Sequence, residues 1–192
     1  ARQLGQLGQF VGLLERWNKV YNLTSVRDPR EMVAMHILDS LTVLPFLADG
    51  PLLDLGTGGG LPGIVIGIMR PELDCLLIDS VSKKTRFCRQ AITELGLSNV
   101  DVVHARIEEL GRPGEFGTVT ARAFAPLDKI VALGTSYLCA NGRITAMEGR
   151  HPADELRDAE LGDASVHCYP VAVPGAPGER HIVTIDGLVD RA

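Results

Sequence analysis

Three observations predict an α/β fold with a mostly parallel, seven-stranded sheet. From Gly50 onward, short apolar strands alternate with helical stretches, the grammar of a parallel sheet wrapped by helices. A glycine-rich turn, Gly56 to Gly63, joins the first strand to the helix after it. The last two strands are joined by the Pro/Gly segment Pro170 to Gly178 rather than by a helix, so the C-terminal end closes as an antiparallel hairpin. Ahead of this unit stands an N-terminal helical cap, residues 1–48, with the sheet domain over 49–192 as one compact body.

Each element has a local cause. Leu4, Leu7, Phe10, Val11, Leu14, Trp17 and Val20 recur at three- and four-residue steps, which marks the apolar face of an amphipathic helix from Leu4 to Val20. A second helix follows Asp28, which serves as N-cap, with Pro29 in the first helical position and Glu31 in the first turn. Strands are predicted at Leu52–Leu55, Asp74–Ile78, Val100–His104, Thr118–Ala121, Arg143–Met147, Ser165–Val173 and His181–Ile185. Helices are predicted at Leu61–Met69, Ser82–Leu95 with Gly96 as its stop, Pro126–Leu138 and a short Asp154–Ala159.

The 192 residues are 45% hydrophobic and 22% charged, enough to bury a core in one domain. Nineteen Lys and Arg against 24 Asp and Glu leave a formal net charge of -5, so no global basic field draws the chain to nucleic acid or an anionic membrane, and such a partner must be met by a local patch. Cys75, Cys88, Cys139 and Cys168 lie far apart, without the paired spacing of a zinc or redox site, and read as packing residues in a reducing, cytoplasmic setting. Nothing at the start reads as a secretory signal, and the most apolar stretch, Leu61 to Met69, is far short of the ~20 residues that span a bilayer.

The glycine turn narrows the chemistry. Its third glycine is not at position 61, where Leu61 stands, and no Gly-Lys-Ser/Thr follows, so neither the dinucleotide fingerprint nor the nucleotide phosphate loop fits. What remains is Asp-x-Gly-x-Gly-x-Gly, Asp54, Gly56, Gly58 and Gly60, the pattern of methyltransferases that bind S-adenosylmethionine. That ligand has no pyrophosphate and carries a cationic sulfur, so an acid beside the loop suits it. Asp79 ends the next strand about 20 residues beyond the glycines, where an acid meets a ribose hydroxyl pair. Glu108, in Ala105-Arg106-Ile107-Glu108 after the third strand, stands where an adenine is sandwiched, and equally reads as a solvated first-turn acid.

Thr120 to Pro126 holds neither the Asn/Asp-Pro-Pro-Tyr box of amine methylation nor a Pro-Cys nucleophile. Arg122 puts a guanidinium there instead. It suits an acceptor atom that needs no deprotonation, such as a guanine ring nitrogen, or else pairs with a nearby carboxylate.

The sequence resembles the glucose-inhibited division protein B family, through Trp17 to Thr24, His36-Ile37-Leu38-Asp39-Ser40, Asp54 to Gly63, Asp79-Ser80 with Lys83, Arg106-Ile107-Glu108, Ala121-Arg122-Ala123 and Gly178-Glu179-Arg180-His181. The resemblance implies a Rossmann-like class I methyltransferase fold and transfer from S-adenosylmethionine, leaving S-adenosylhomocysteine, to N7 of a guanine in the 530-loop region of 16S ribosomal RNA in the small subunit. It implies cofactor contacts at Gly56, Leu61, Asp79, Ile107, Glu108 and Arg122, beside Asp54, Gly58 and Gly60. Asn22, Arg106, Arg122 and Arg180 are expected to face the guanine or its phosphates, with His36, Lys83, Lys84, Arg180 and His181 as RNA contacts. The chain is expected to act as a monomer, without metal or membrane. Two positions depart from the family pattern, Met35 and Glu148, where a basic residue and a lysine are usual; Arg143 or Arg150 are the candidate replacements. The rival functions are a small-molecule methyltransferase, which the acidic charge suits, and an inactive cofactor-sensing module docking on ribosomal particles.

Overall fold

The computed structural model describes residues 1–152 and 161–189. Helix α1, Arg2–Tyr21, is followed by α2, Pro29–Met32, which runs through a π-helical turn, Val33–Leu38, into α3, Asp39–Leu41. Asp28 caps α2 as expected, its side chain accepting from the Arg30 amide at 2.8 Å. The sheet domain contains β1 (Leu52–Leu55), α4 (Gly63–Met69), β2 (Cys75–Asp79), α5 (Ser82–Leu95) and β3 (Val100–His104). Then come β4 (Phe116–Arg122), α6 (Leu127–Gly134), β5 (Leu138–Glu148), β6 (Ser165–Pro170) and β7 (His181–Asp186).

The strand order is β3-β2-β1-β4-β5-β7-β6. The first five strands are parallel; β7 pairs antiparallel with β5 and with β6. The order reverses between β1 and β4, and in such sheets the crevice for a ligand opens there, at the carboxyl ends of the strands.

Alternation along the central strands splits the core in two. Leu52 and Leu77 join one apolar cluster, with α1, α4 and α5; Leu53, Leu55, Leu76 and Ile78 join the other, under α6. The first cluster runs without a break from Phe10, Leu13, Leu14 and Met32 of the N-terminal helices into Ile64, Phe87 and Ala91 of the sheet domain. Phe10 and Phe87 lie 6.1 Å apart, and Trp17 meets Phe87 edge-on at 5.6 Å.

Several boundaries depart from the expectation. Leu4 and Val20, read as apolar-face residues, are 76% and 70% exposed; at the first turn it is Gln3 and Gln6 that face the neighbouring helices, donating to the carbonyls of Ile68, Met69 and Leu95. The second helix is interrupted by the π turn, in which the Asp39 amide reaches the Ala34 carbonyl. The helix predicted to Leu138 ends at Gly134; a 3-10 turn, Thr135–Tyr137, follows, and β5 begins at Leu138 with a register shift between Phe116 and Thr118. The helix predicted from Leu61 starts at Gly63, since Gly60 and Leu61 both donate back to the Thr57 carbonyl in a tight turn. β6 stops at Pro170, short of Val173. The predicted helix Asp154–Ala159 lies outside the described residues.

Phe10 is wholly buried between α1 and α5, so Phe10→Ala is expected to lower the unfolding free energy by about 3–5 kcal/mol. Val20→Ala, at an exposed position, should stay within ~0.5 kcal/mol. Urea unfolding of both variants checks the pair, and equal losses would contradict the packing described.

Candidate functional site

The site is built around the turn after β1. Gly56, Gly58 and Gly60 have φ of 61°, 59° and 78°, the left-handed region open to glycine. Close approach adds a second demand, because a Cβ on Gly56 would stand 2.1 Å from the Phe124 ring. Beneath the turn lies Asp54, with no exposed surface. One of its oxygens accepts from the Thr57 hydroxyl at 2.6 Å and from the Gly63 amide at 2.9 Å, and the other has no partner. Burial raises the Asp54 carboxyl to about 7, against the two hydrogen bonds that lower it. The acid expected beside a ligand stands here as a buried brace that shapes the loop.

Asp79, at the end of β2, accepts from the Gly58 amide at 3.0 Å and the Val81 amide at 2.8 Å, with Lys84 at 3.5 Å. The first strand end is thereby tied to the second. Each carboxylate oxygen has a further lone pair, so Asp79 keeps acceptor capacity toward a hydroxyl.

Two contiguous chambers open at the switch point and share Gly56, Lys84 and Ala123. The outer one, about 320 Å³, is lined by Asp79, Arg106, Ile107, Glu108 and Phe124. The Tyr137 hydroxyl donates to the Ile107 carbonyl and holds the turn that carries Glu108. The inner one, about 440 Å³, is lined by the turn from Gly56 to Gly59 and Leu61, and on its far side by His36, Asp39, Arg122, Arg180 and His181.

On that far side two arginines from distant parts of the chain meet one acid. Arg122 Nη1 donates to Asp39 at 2.9 Å and to the Met35 carbonyl at 3.1 Å; Arg180 Nε donates to the other Asp39 oxygen at 3.2 Å. Arg180 also donates to the Glu179 carbonyl at 2.7 Å and lies 3.7 Å from Met35 Sδ. The carboxylate that pairs with Arg122 is thus 83 residues away rather than local. Ala123, directly after Arg122, takes φ 48°, turning the chain so that Phe124 enters the outer chamber.

His36 is 6% exposed. Its Nδ1 lies 2.9 Å from the Met35 carbonyl and its Nε2 2.8 Å from Thr24 Oγ1; we assign Nδ1 as the donor and Nε2 as acceptor from the hydroxyl. Burial, then the Arg122 charge, lower its pKa to about 4, which keeps it neutral. The residue expected to contact RNA lines the inner chamber with both ring nitrogens engaged.

The remaining predicted residues separate. Arg106 lines the outer chamber, away from Arg122 and Arg180. Asn22 is the left-handed C-cap of α1 and lines neither chamber; its side-chain oxygen accepts from Arg27 at 2.7 Å. Lys83 is exposed and lines neither chamber. His181 lines the inner chamber with a buried Nδ1 that has no hydrogen-bond partner among the described residues; Glu148 also lines this chamber. Arg143 is held by Asp186 at 2.7 Å, whereas Arg150 is exposed. Asp39 was missed as a site residue; its one signal was its place three residues beyond His36.

Asp54 and His36 shift stability in opposite directions. Since the Asp54 carboxyl is raised from 3.8 to about 7, its contribution is full below its unfolded pKa and lost as pH rises through about 7. His36, lowered from 6.5 to about 4, contributes above 6.5, and that contribution is lost as pH falls through about 4. In carbon-13 NMR the Asp54 carboxyl is expected to titrate near 7; a midpoint near its usual value would contradict the burial argument.

Comparison with known proteins agrees with this geometry. A family profile described as rRNA small subunit methyltransferase G (GidB) matches residues 3–183. A protein named ribosomal RNA small subunit methyltransferase G from Stenotrophomonas maltophilia is 46% identical over 179 residues, 93% of this chain and 84% of that protein. Its namesake from Marinobacter nauticus is 44% identical over 183 residues, 95% and 86% of the two chains. Among solved structures, an S-adenosylmethionine-dependent methyltransferase from Aquifex aeolicus superposes with a TM-score of 0.59 at 16% identity, covering 83% of this chain and 93% of that one. A precorrin-6y C5,15-methyltransferase from Geobacter metallireducens gives 0.57 at 17% identity, covering 88% and 92%. These structures share the class I methyltransferase fold, and by the extent of its sequence match the chain belongs to the rRNA small subunit methyltransferase G family.

Proposed function

We propose that the protein transfers a methyl group from S-adenosylmethionine to N7 of a guanine in the 530-loop region of 16S ribosomal RNA in the small subunit, releasing S-adenosylhomocysteine, as a cytoplasmic monomer. The observation that carries this reading is the pair of joined chambers, one bounded by Asp79 and Glu108 and the other by the glycine turn and two arginines. The residues present fit the cofactor: the turn offers bare backbone where a Cβ would collide, Asp79 has acceptor capacity toward a ribose, and Ile107 with Glu108 bounds an adenine-sized space. Among the described residues no helix is long and apolar enough to cross a membrane. The N-terminal helices, through His36 and Asp39, wall the acceptor side together with Arg122 and Arg180 of the sheet domain, which also carries the glycine turn, Asp79 and Glu108 of the cofactor side.

When bound, S-adenosylmethionine supplies an electrophilic methyl on a cationic sulfur. Guanine N7 carries a lone pair and no proton, so no general base is needed. The chain's task is then to hold two partners at near-attack distance and to exclude water, which supplies several kcal/mol of the barrier. Arg122 and Arg180 face the base or an adjoining phosphate, through guanidinium N–H groups that Asp39 and the backbone leave free. Lys83, Lys84, Arg86 and Arg89, clustered on the first half of α5, provide a local basic patch on an acidic protein, and Arg106 extends it beside the outer chamber. Asn22 caps α1 outside both chambers, where its side-chain oxygen accepts from Arg27.

Transfer of labelled methyl to small subunits lacking the modification, with mass mapping, tests the reading. Label on one guanine N7 supports it; cofactor binding with no label on RNA would overturn it in favour of a small-molecule enzyme or a sensor. Arg122→Ala is expected to cut transfer about 100-fold or more, with the fold intact because Asp39 retains Arg180. Near-normal turnover would remove Arg122 from the mechanism. Asp79→Ala is expected to weaken S-adenosylmethionine roughly 10- to 100-fold by calorimetry, and unchanged affinity would contradict the ribose assignment.

A further inference from the structure

We propose that Asp39 is the positioning residue of the acceptor chamber: one buried carboxylate that holds the guanidiniums of Arg122 and Arg180 together and cancels one of their two charges. The inference rests on the methyltransferase reading above and deepens it.

The geometry is that of a shared anchor. Asp39 is 6% exposed and gives one oxygen to Arg122 and the other to Arg180. Both arginine side chains are 19% exposed, so each is largely desolvated and neither is screened as a surface charge would be. Without an anion between them, two guanidiniums this close repel and swing apart. Their backbone partners, the carbonyls of Met35 and Glu179, fix one N–H each but supply no opposite charge. The adjoining His36 supplies none either, since it is neutral. The cluster therefore carries one net positive charge.

The acid lies at the end of the π turn, where the Asp39 amide donates back to the Ala34 carbonyl, five residues earlier. Met35, His36 and Asp39, related by three- and four-residue steps, share the face that lines the inner chamber. Asp39 thereby ties the N-terminal helices to the end of β4 and to the approach into β7.

The net charge matters for the ligand beside it. S-adenosylmethionine is a sulfonium and S-adenosylhomocysteine a neutral thioether, and the chamber that holds the cluster is bounded by the glycine turn on its other side. Removing the Asp39 charge leaves two uncancelled cations facing that space. The cationic ligand is then disfavoured relative to the neutral one, whereas loss of a merely structural residue would weaken both alike.

The test uses the full chain and the variants Asp39→Asn, Arg180→Gln and the two combined. Calorimetry with each ligand reads the affinity ratio, and transfer to unmodified small subunits reads kcat and KM. In Asp39→Asn the ratio is expected to move at least about fivefold toward the thioether, the effect that one unit charge at short range has even in water, and kcat to fall about 100-fold with a smaller change in KM. The combined variant restores the original net charge, so its ratio should return to the wild-type value while kcat stays low. Its kcat loss should fall well short of the product of the two single losses, since the second change removes an arginine already misplaced.

An unmoved ratio in Asp39→Asn, or losses that simply multiply, would overturn the proposal. Should Asp39→Asn not fold, Arg180→Gln decides: by removing one cation it must move the ratio the other way, toward the sulfonium, with depressed kcat. The ratio needs no RNA, so a wild type that binds both ligands but leaves subunits unmethylated overturns the RNA reading while Asp39 remains testable. A wild type that binds neither ligand overturns both.

Discussion

The buried carboxylate of Asp54 is the constraint from which the site grows. It sits at the end of a parallel strand, where the chain must leave the sheet, reverse and enter a helix within a few residues. The Thr57 hydroxyl and the Gly63 amide converge on one of its oxygens, which fixes both ends of that reversal. The turn so held directs the Gly58 amide to Asp79, and the end of β2 is brought into line with the end of β1. Positive φ at three glycines and the contact of Gly56 with Phe124 follow from the same path. A polar group withdrawn this far from water is costly unless bonded, and the raised pKa of Asp54 records that cost.

On the opposite wall the organising acid is Asp39. The two acids differ in what they gather. Asp54 gathers neutral donors from its own neighbourhood and acts on backbone shape. Asp39 gathers charges that are 83 and 141 residues away and acts on side-chain direction. Between them lies the inner chamber, with a rigid backbone on one side and fixed guanidiniums on the other.

This difference decides what was legible in the sequence. Gly56, Gly58, Gly60 and Asp79 leave marks at fixed spacing, because turn geometry and strand length impose that spacing. Val100–His104, Leu52–Leu55 and Ser82–Leu95 are likewise set by local period and by Gly96 as a left-handed stop. The association of Asp39 with Arg122 and Arg180 leaves no local mark, because it arises only when the N-terminal helices dock on the sheet. The same holds for the exposure of Leu4 and Val20, since which face of α1's first turn meets α4 and α5 is set by docking, and there Gln3 and Gln6 make the contact. The expectation that His36 contacts RNA comes from the family resemblance, and a histidine in a helix carries no sign of its burial. Gly134, where α6 passes into the 3-10 turn, sits close over Val119 and Ile144, within 3.0 and 3.5 Å of where a Cβ would stand, a packing that only the folded sheet creates.

The unbroken core beneath the N-terminal helices bears on how the molecule can move. Phe10, Leu13, Leu14 and Met32 are almost entirely shielded from solvent and share one cluster with Ile64 and Phe87. Prying the helices off would expose each of those four side chains at roughly 1.5–3 kcal/mol apiece, a sum comparable to the whole stability of about 5–15 kcal/mol of a typical domain. The segment is therefore a wall and not a hinged lid. Opening and closing during turnover is confined to the rim, and the breadth of the mouth is a fixed dimension of the fold.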